Sequence, residues 1–306
     1  MSNREYDVVI IGGGPAGLTA GIYTARARLR SLLIEKAVTG GLIVNAGLVE
    51  NYPGFPQGIS GVELTDSMNQ QAVKFGMETL LAEVTGLELK GEQKIVKTTE
   101  GDIVAKAVII ASGSGRVKMD VPGEEEFTGR GVAYCAICDA YFYKDLPVAV
   151  VGGGNAAINE ALDLSKFAAK VTVIHRRQEL RATRILQEKA FADPKIEFLW
   201  DTVVEAIEGE DVVKRIRLRN VRTGEKSVMD ISGIFVAIGF KPSTDYLKGV
   251  LSLDANGAII TNEKMETEVP GIFAAGDIRS GSIRQVVAGA GDGAVAAIYA
   301  ERYIIG

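Results

Sequence analysis

Short apolar runs, each closed by glycine and followed by a helical pattern, occur twice in the chain. Residues 6–11 (YDVVII) run into GGGPAG and the alanine-rich TAGIYTARARL, which predicts strand, turn and helix. Residues 147–151 (PVAVV) run into GGGNAA, with a helix predicted over 158–169. Between and after these units the pattern predicts a strand over 31–34, a long Gly- and Pro-rich loop (TGGLIVNAGLVENYPGFPQGISG), a helix over 66–76 and paired strands over 94–107 about Glu100-Gly101. A buried strand over 108–111 follows, then strands and hairpins over 196–229 and a strand over 234–238. Residues 271–277 (GIFAAGD) form a last apolar strand closed by a carboxylate, and 282–303 a long helix with small residues on one face. That helix needs a sheet to lie on. The economical arrangement is an α/β chain of two Rossmann-like domains, with residues 116–244 inserted into a discontinuous domain formed by 1–115 and 245–306.

The two glycine turns have chemistry attached. Gly12, Gly14 and Gly17 fit G-x-G-x-x-G: the first makes the turn, the second admits a pyrophosphate and the third lets helix pack on strand. Glu35, 23 positions after Gly12, closes the next strand, where a carboxylate accepts hydrogen bonds from ribose hydroxyls. Gly152, Gly154 and Ala157 fit the G-x-G-x-x-A form. Here the equivalent of Glu35 is His175, with Arg176, Arg177 and Arg181 close behind. A carboxylate there would repel a 2′-phosphate, whereas guanidinium groups bind it through charge-assisted hydrogen bonds. The first domain is therefore expected to hold a dinucleotide with free ribose hydroxyls and the second to hold NADPH. The alternative for the arginines alone is a solvated helix face. His175 suits an adenosine contact or structural filling better than catalysis, and Gly113, in Ser112-Gly113-Ser114, is equally an ordinary turn or a place where backbone approaches a ligand.

Composition narrows the rest. With 306 residues, 47% of them hydrophobic, two buried cores are affordable. A formal net charge of -5 without blocks of like charge argues against nucleic acid or an anionic membrane as partner. The start, MSNREYDVVIIGGG, is too short in apolar residues and too acidic for a signal peptide, and no apolar run reaches the ~18 residues of a membrane helix. A cytoplasmic location is expected.

Cys135 and Cys138 are the only cysteines, with Asp139 beside the second. A C-x-x-C pair can open and close a disulfide and so carry two electrons. A metal site is not expected, since a zinc site needs four ligands and the chain has one histidine, far from the pair in sequence. A permanent disulfide closing so short a loop would constrain the unfolded chain little.

Together, GGGPAG, ENYPGF, CAICD between the two fingerprints, GGGNAA, HRRxxxR, AIGFKP and GIFAAGD with Arg284-Gln285 resemble, nearly end to end, the low-molecular-weight thioredoxin reductases. The resemblance implies FAD in the first domain, contacting Gly12, Gly14, Pro15, Ala16, Gly17, Glu35, Lys36, Gly40, Gly41, Leu42, Asn51, Asp277, Arg284, Gln285 and Val286. It implies NADPH at Gly152, Gly154, Asn155, Ala156, Ala157, His175, Arg176, Arg177 and Arg181. It also implies a homodimer, thioredoxin or a thioredoxin-like protein as partner, Cys138 nearer the flavin, Cys135 forming the mixed disulfide, and Asp139 moving the proton. In such enzymes the inserted domain rotates, and the hinge is expected near 113–118 and 241–246. Three residues depart from the family pattern: Leu42 where glutamine is common, Asn159 for glutamate, and Ile137 for threonine. Rival readings are a dithiol oxidase, a reductase fed by NADH or ferredoxin, a reductase of another small redox protein, and a nucleotide-binding redox sensor.

Overall fold

The computed structural model describes all residues except 1–3, 47, 50, 135 and 248, and describes only the backbone of Arg4, Ile137 and Cys138. The chain divides into two units, one formed by Met1–Gly115 with Lys241–Gly306, the other by Arg116–Phe240.

The first unit opens with β1 (Arg4–Ile11), α1 (Pro15–Arg26), β2 (Ser31–Glu35), α2 (Gly61–Lys74), β3 (Glu78–Leu81), β4 (Val84–Lys90), β5 (Gln93–Thr98) and β6 (Ile103–Ile110). A short strand β7 (Ser114–Arg116) leads out. The second unit holds β8 (Val132–Ala133), α3 (Ala136–Asp139), β9 (Pro147–Val151), α4 (Asn155–Ser165), β10 (Lys170–Ile174) and α5 (Arg184–Ala192). It continues with β11 (Ile196–Leu199), β12 (Thr202–Gly209), β13 (Val213–Asn220), β14 (Lys226–Asp230) and β15 (Gly233–Val236). The chain returns through β16 (Phe240–Pro242) and ends with β17 (Ile272–Ala274) and α6 (Val286–Ile305). The two connecting strands β7 and β16 pair with each other.

The large sheet runs β3-β2-β1-β6-β5-β4, and β17 also pairs with β6. The start of β6 pairs antiparallel with β5, at Ala105 with Lys94 and Val104 with Ile95, while its end pairs parallel with β17, at Val108 with Ile272 and Ile110 with Ala274. Strand alternation sorts the apolar residues onto two faces. Val8, Ile10, Ala107 and Ile109 pack under α1, α2 and α6, whereas Val9, Ile11, Val108 and Ile110 meet Leu247, Leu251 and Ile259 on the other side. Helix α6 lies against α1 so closely that a Cβ on Gly293 would sit 2.1 Å from the Ala16 carbonyl oxygen. That contact explains the small residues along one face of the last helix.

The second unit has a five-stranded parallel sheet, β11-β10-β9-β15-β8, and a separate antiparallel sheet, β12-β13-β14. One face of the parallel sheet packs on α4 through Val148, Val150, Ala157, Ala161 and Leu164; the other meets Val204, Ile216 and Leu218 of the antiparallel sheet.

Three helix starts differ from the sequence expectation. Helix α2 begins at Gly61 rather than 66, because Ser60 and Glu63 form a capping box that satisfies its first amides. Helix α4 begins at Asn155 rather than 158, the alanines after the glycine turn continuing the helix. Helix α6 begins at Val286 rather than 282: Arg284 has φ +54°, which no helix accommodates, and its amide is held by the Ser282 hydroxyl.

Candidate dinucleotide sites and the redox helix

In the first unit the C-terminal ends of β1, β6 and β17 lie side by side, and the predicted cofactor residues gather at that edge. Gly12 has φ +105°, and a Cβ there would sit 2.4 Å from the Ala111 carbonyl oxygen. A Cβ on Gly17 would fall 1.9 Å from the Gly12 carbonyl oxygen, so only glycine lets α1 start this close to β1. Gly14 is different: a Cβ there would come no closer than 3.9 Å to its nearest neighbour, Gly41, which leaves a shallow open cradle. Pro15 opens α1, and Gly14 caps it without any side-chain bond, so the first amides await an acceptor. Ala16 is buried against Gly276.

The Glu35 carboxylate accepts the Gly13 amide at 2.7 Å and those of Lys36 and Ala37 at 2.9 and 3.1 Å, fixing it beside the turn. Each oxygen keeps acceptor capacity for a hydroxyl. Gly40 donates to the Gly13 carbonyl at 2.7 Å, bringing Gly41 against Gly14 of the fingerprint, and Leu42 beside it is exposed. Asn51 donates to Gln285 at 3.0 Å, joining two predicted residues 234 positions apart. Asp277 follows β17; burial holds its carboxyl above the usual range despite the Ser282 hydroxyl bond and nearby Arg284. Val286 begins α6 and packs partly into the core. Gly113 has φ +63° and open space around it, and its carbonyl accepts the Ser243 amide, so the turn is formed and its outer side remains accessible.

The second unit repeats the device. Gly152 has φ +151°, with the Ala237 carbonyl oxygen 2.4 Å from where a Cβ would stand, and Ala157 packs beneath it. A Cβ on Gly154 would meet nothing within 4 Å, and the residue caps α4 without a side-chain bond. Asn155 and Ala156 are exposed in the first turn, and the Asn155 side chain accepts the Thr183 amide at 2.7 Å. His175 is buried, and its ring occupies the space that a Gly153 Cβ would need. Its Nε2 is 3.1 Å from the Glu179 carbonyl, and burial with three nearby arginines lowers its pKa, so it is neutral filling behind the turn. Arg176, Arg177 and Arg181 are exposed, and the Arg181 amide donates to the Gly153 carbonyl at 2.7 Å, which folds the arginine segment back onto the glycine turn. These arginines lie on a loop and not on the helix face that charge spacing alone would suggest. Among the described residues none of the three forms an ion pair. Trp200, the only tryptophan, stacks on Phe198 at 5.1 Å and meets the His175 ring edge-on.

Cys135 lies outside the described residues, and Cys138 is placed by its backbone in α3. Asp139 closes α3 half-buried; burial raises its pKa, partly opposed by Arg116. Before the pair, the Tyr134 hydroxyl donates to Glu124 at 2.9 Å, and the same buried carboxylate accepts the amides of Met119 and Asp120. Burial and Glu124 push the Tyr134 hydroxyl up to about 12. An open cleft of about 740 Å³ flanks α3, lined by Arg130, Asp139, Phe142, Tyr143 and Val213 among others.

Sequence reasoning passed over Glu124, Arg116 and Glu160. Glu160 had a signal: it is an acid on the α4 face that carries buried Ala157 and Leu164. Asn159, one of the departures from the family pattern, faces solvent. Ile137 has no described side chain.

Among the described residues no helix is long and apolar enough to cross a membrane, and no cluster of three metal-ligating side chains occurs. Residues 6–293 match the pyridine nucleotide-disulphide oxidoreductase family. The thioredoxin reductase of Peptoclostridium acidaminophilum is 46% identical over 305 residues, covering 98% of this chain and 97% of that protein. That of Streptomyces coelicolor is 47% identical over 301 residues, covering 97% and 94%. The crystal structure of Lactococcus lactis thioredoxin reductase superposes with a TM-score of 0.91 at 42% identity, covering 98% of this chain and 99% of that one. Two glycine cradles, a helix that carries Cys138 of the C-x-x-C pair, and these similarities agree: the chain belongs to the pyridine nucleotide-disulphide oxidoreductases.

Proposed function

We propose that this oxidoreductase is an NADPH-dependent thioredoxin-disulfide reductase that passes two electrons through FAD and the Cys135-Cys138 disulfide to oxidised thioredoxin or a thioredoxin-like protein. The observation that carries the reading is the difference between its two cradles. Glu35 stands beside the first glycine turn and free arginines beside the second. The open space at Gly14 and Gly154, with uncapped helix amides behind each, fits a pyrophosphate at both. FAD belongs in the first cradle, between Glu35 and Asp277, and NADPH in the second, its 2′-phosphate toward Arg176, Arg177 and Arg181.

Bound FAD supplies two-electron transfer between nicotinamide and disulfide. The protein's own residues manage position and protons. The glycine turns and helix amides hold the pyrophosphates, and Glu35 orients a ribose. Opening Cys135-Cys138 takes two electrons and releases two thiolates, of which that of Cys138 takes up a proton and that of Cys135 does not. Asp139 retains its proton above the usual carboxylate range because of burial, so it can donate to the thiolate of Cys138 at the end of the same helix. The released Cys135 thiolate then attacks the partner's disulfide. The enzyme acts in the cytoplasm as a homodimer, with the inserted unit moving on the connectors near β7 and β16.

The test is steady-state reduction of thioredoxin with NADPH and NADH in turn, on wild type and Cys135→Ser. NADPH-driven reduction lost in Cys135→Ser is expected. A colourless protein that retains no added flavin would sink the reading, and rapid oxygen consumption with a small dithiol would indicate an oxidase.

A further inference from the structure

We propose that Glu160, acting through Arg116, is a positioning residue for Asp139 and sets how firmly Asp139 holds the proton that it gives to the cysteine pair. The inference rests on the reductase reading above.

Helix α3, which ends in Asp139, packs against α4. The Glu160 side chain, on α4, is 16% exposed. Its Oε1 lies 3.6 Å from Arg116 Nη1, an ion pair too long for a hydrogen bond, while Oε2 is buried without a hydrogen-bond partner among the described residues. Among the described residues Arg116 is also the one charged group whose field favours the ionised form of Asp139, against the effect of burial. One guanidinium therefore serves two half-buried carboxylates. Burial pushes Glu160 up to about 7, so its charge appears within the physiological range.

The other charges nearby do not take this role. Asp163, on the same helix, raises Glu160 slightly and is bonded to Lys166. On the neighbouring strands Lys170 pairs with Glu197, and on α5 Arg184, Glu188 and Lys189 face solvent. Tyr143, beside α3, feels the charge of Asp139 and carries none itself at neutral pH.

The consequence is a pH-dependent donor. Below neutrality Glu160 is protonated, Arg116 acts on Asp139 undiluted, and Asp139 loses its proton more readily. Above neutrality the Glu160 carboxylate offsets Arg116, and Asp139 holds its proton to higher pH. Donor strength is thereby sustained where a solitary carboxyl would already be empty.

The experiment is rapid mixing of holoenzyme with NADPH from pH 6 to 8.5, followed by alkylation quench to count new thiols. Glu160→Gln should match wild type at pH 6 and fall roughly three- to tenfold behind at pH 8, the loss expected from a pKa change of about half to one unit. Arg116→Gln should be at least as fast as wild type at pH 8, and Arg116→Lys should keep the wild-type profile. The opposite signs separate tuning from damage. Infrared difference spectra between pH 6 and 8 should carry a protonated-carboxyl band that Glu160→Gln removes. Equal slowing of Glu160→Gln and Arg116→Gln at all pH values, or a Glu160→Gln profile identical to wild type, overturns the inference. Failure of the wild type to reduce thioredoxin with NADPH overturns the reductase reading instead.

Discussion

Removing the charges of Arg176 and Arg177 tests the second cradle most directly. Both side chains are exposed on the loop folded against Gly153, and neither is paired among the described residues, so no internal bond is lost with them. A hydrogen bond to a charged group contributes about 1.5 to 3 kcal/mol. In a solvent-facing loop the lower figure applies, which is about tenfold in affinity per arginine. Neighbouring residues that share one phosphate are not fully additive, so Arg176→Ala with Arg177→Ala should raise KM for NADPH roughly 30- to 100-fold. NADH has no 2′-phosphate, and its kcat/KM should change less than threefold. The assay is thioredoxin reduction with each nicotinamide across a concentration series. Equal losses with both would mean that the loop shapes the cradle and does not read the phosphate.

Gly17→Ala should give a poorly stable protein that loses flavin on gel filtration, because the new Cβ meets the Gly12 carbonyl oxygen at 1.9 Å. Asp139→Asn should lower thioredoxin turnover about 100-fold or more, the usual size of general-acid catalysis, while NADPH oxidation by an artificial electron acceptor persists. Glu160 has a folded-state pKa near 7 against 4.5 when free, so its contribution to stability is present below pH 4.5 and lost as pH rises through 7. Glu160→Gln should accordingly be more stable than wild type at pH 8 by up to about 3 kcal/mol in urea unfolding, the gap closing toward pH 4; a destabilised variant at pH 8 would contradict this. Adenosine 2′,5′-bisphosphate should change Trp200 fluorescence through the His175 loop, and the double arginine variant should require far more ligand for the same change.

What could be read from sequence was local in the chain. A glycine turn shows itself within six residues because the steric demands on Gly12 and Gly17 come from the adjoining strand and helix. The equivalent positions Glu35 and His175 follow from the regular length of a strand-helix-strand unit. For His175 the sequence left an adenosine contact and structural filling both open, since filling behind Gly153 depends on the packing of a side chain. The beginning of α6 was misplaced because an isolated positive φ at Arg284, a non-glycine residue, leaves no trace in hydrophobic spacing. Arg116 and Glu160 are 44 positions apart, and Glu124 holds Tyr134 across a turn; a lone acid in a charged composition gives little warning of either.

The forked pairing of β6 bears on how the polypeptide assembles. Its final residues bond to a strand 164 positions later, Val108 to Ile272, so they wait as an unmatched edge while everything between is synthesised. The intervening unit, continuous from Arg116 to Phe240, has no such debt and can mature on the ribosome first. A chain cut short before residue 272 should then contain one folded body attached to a sticky, incomplete sheet, and aggregation of nascent fragments should be seeded there.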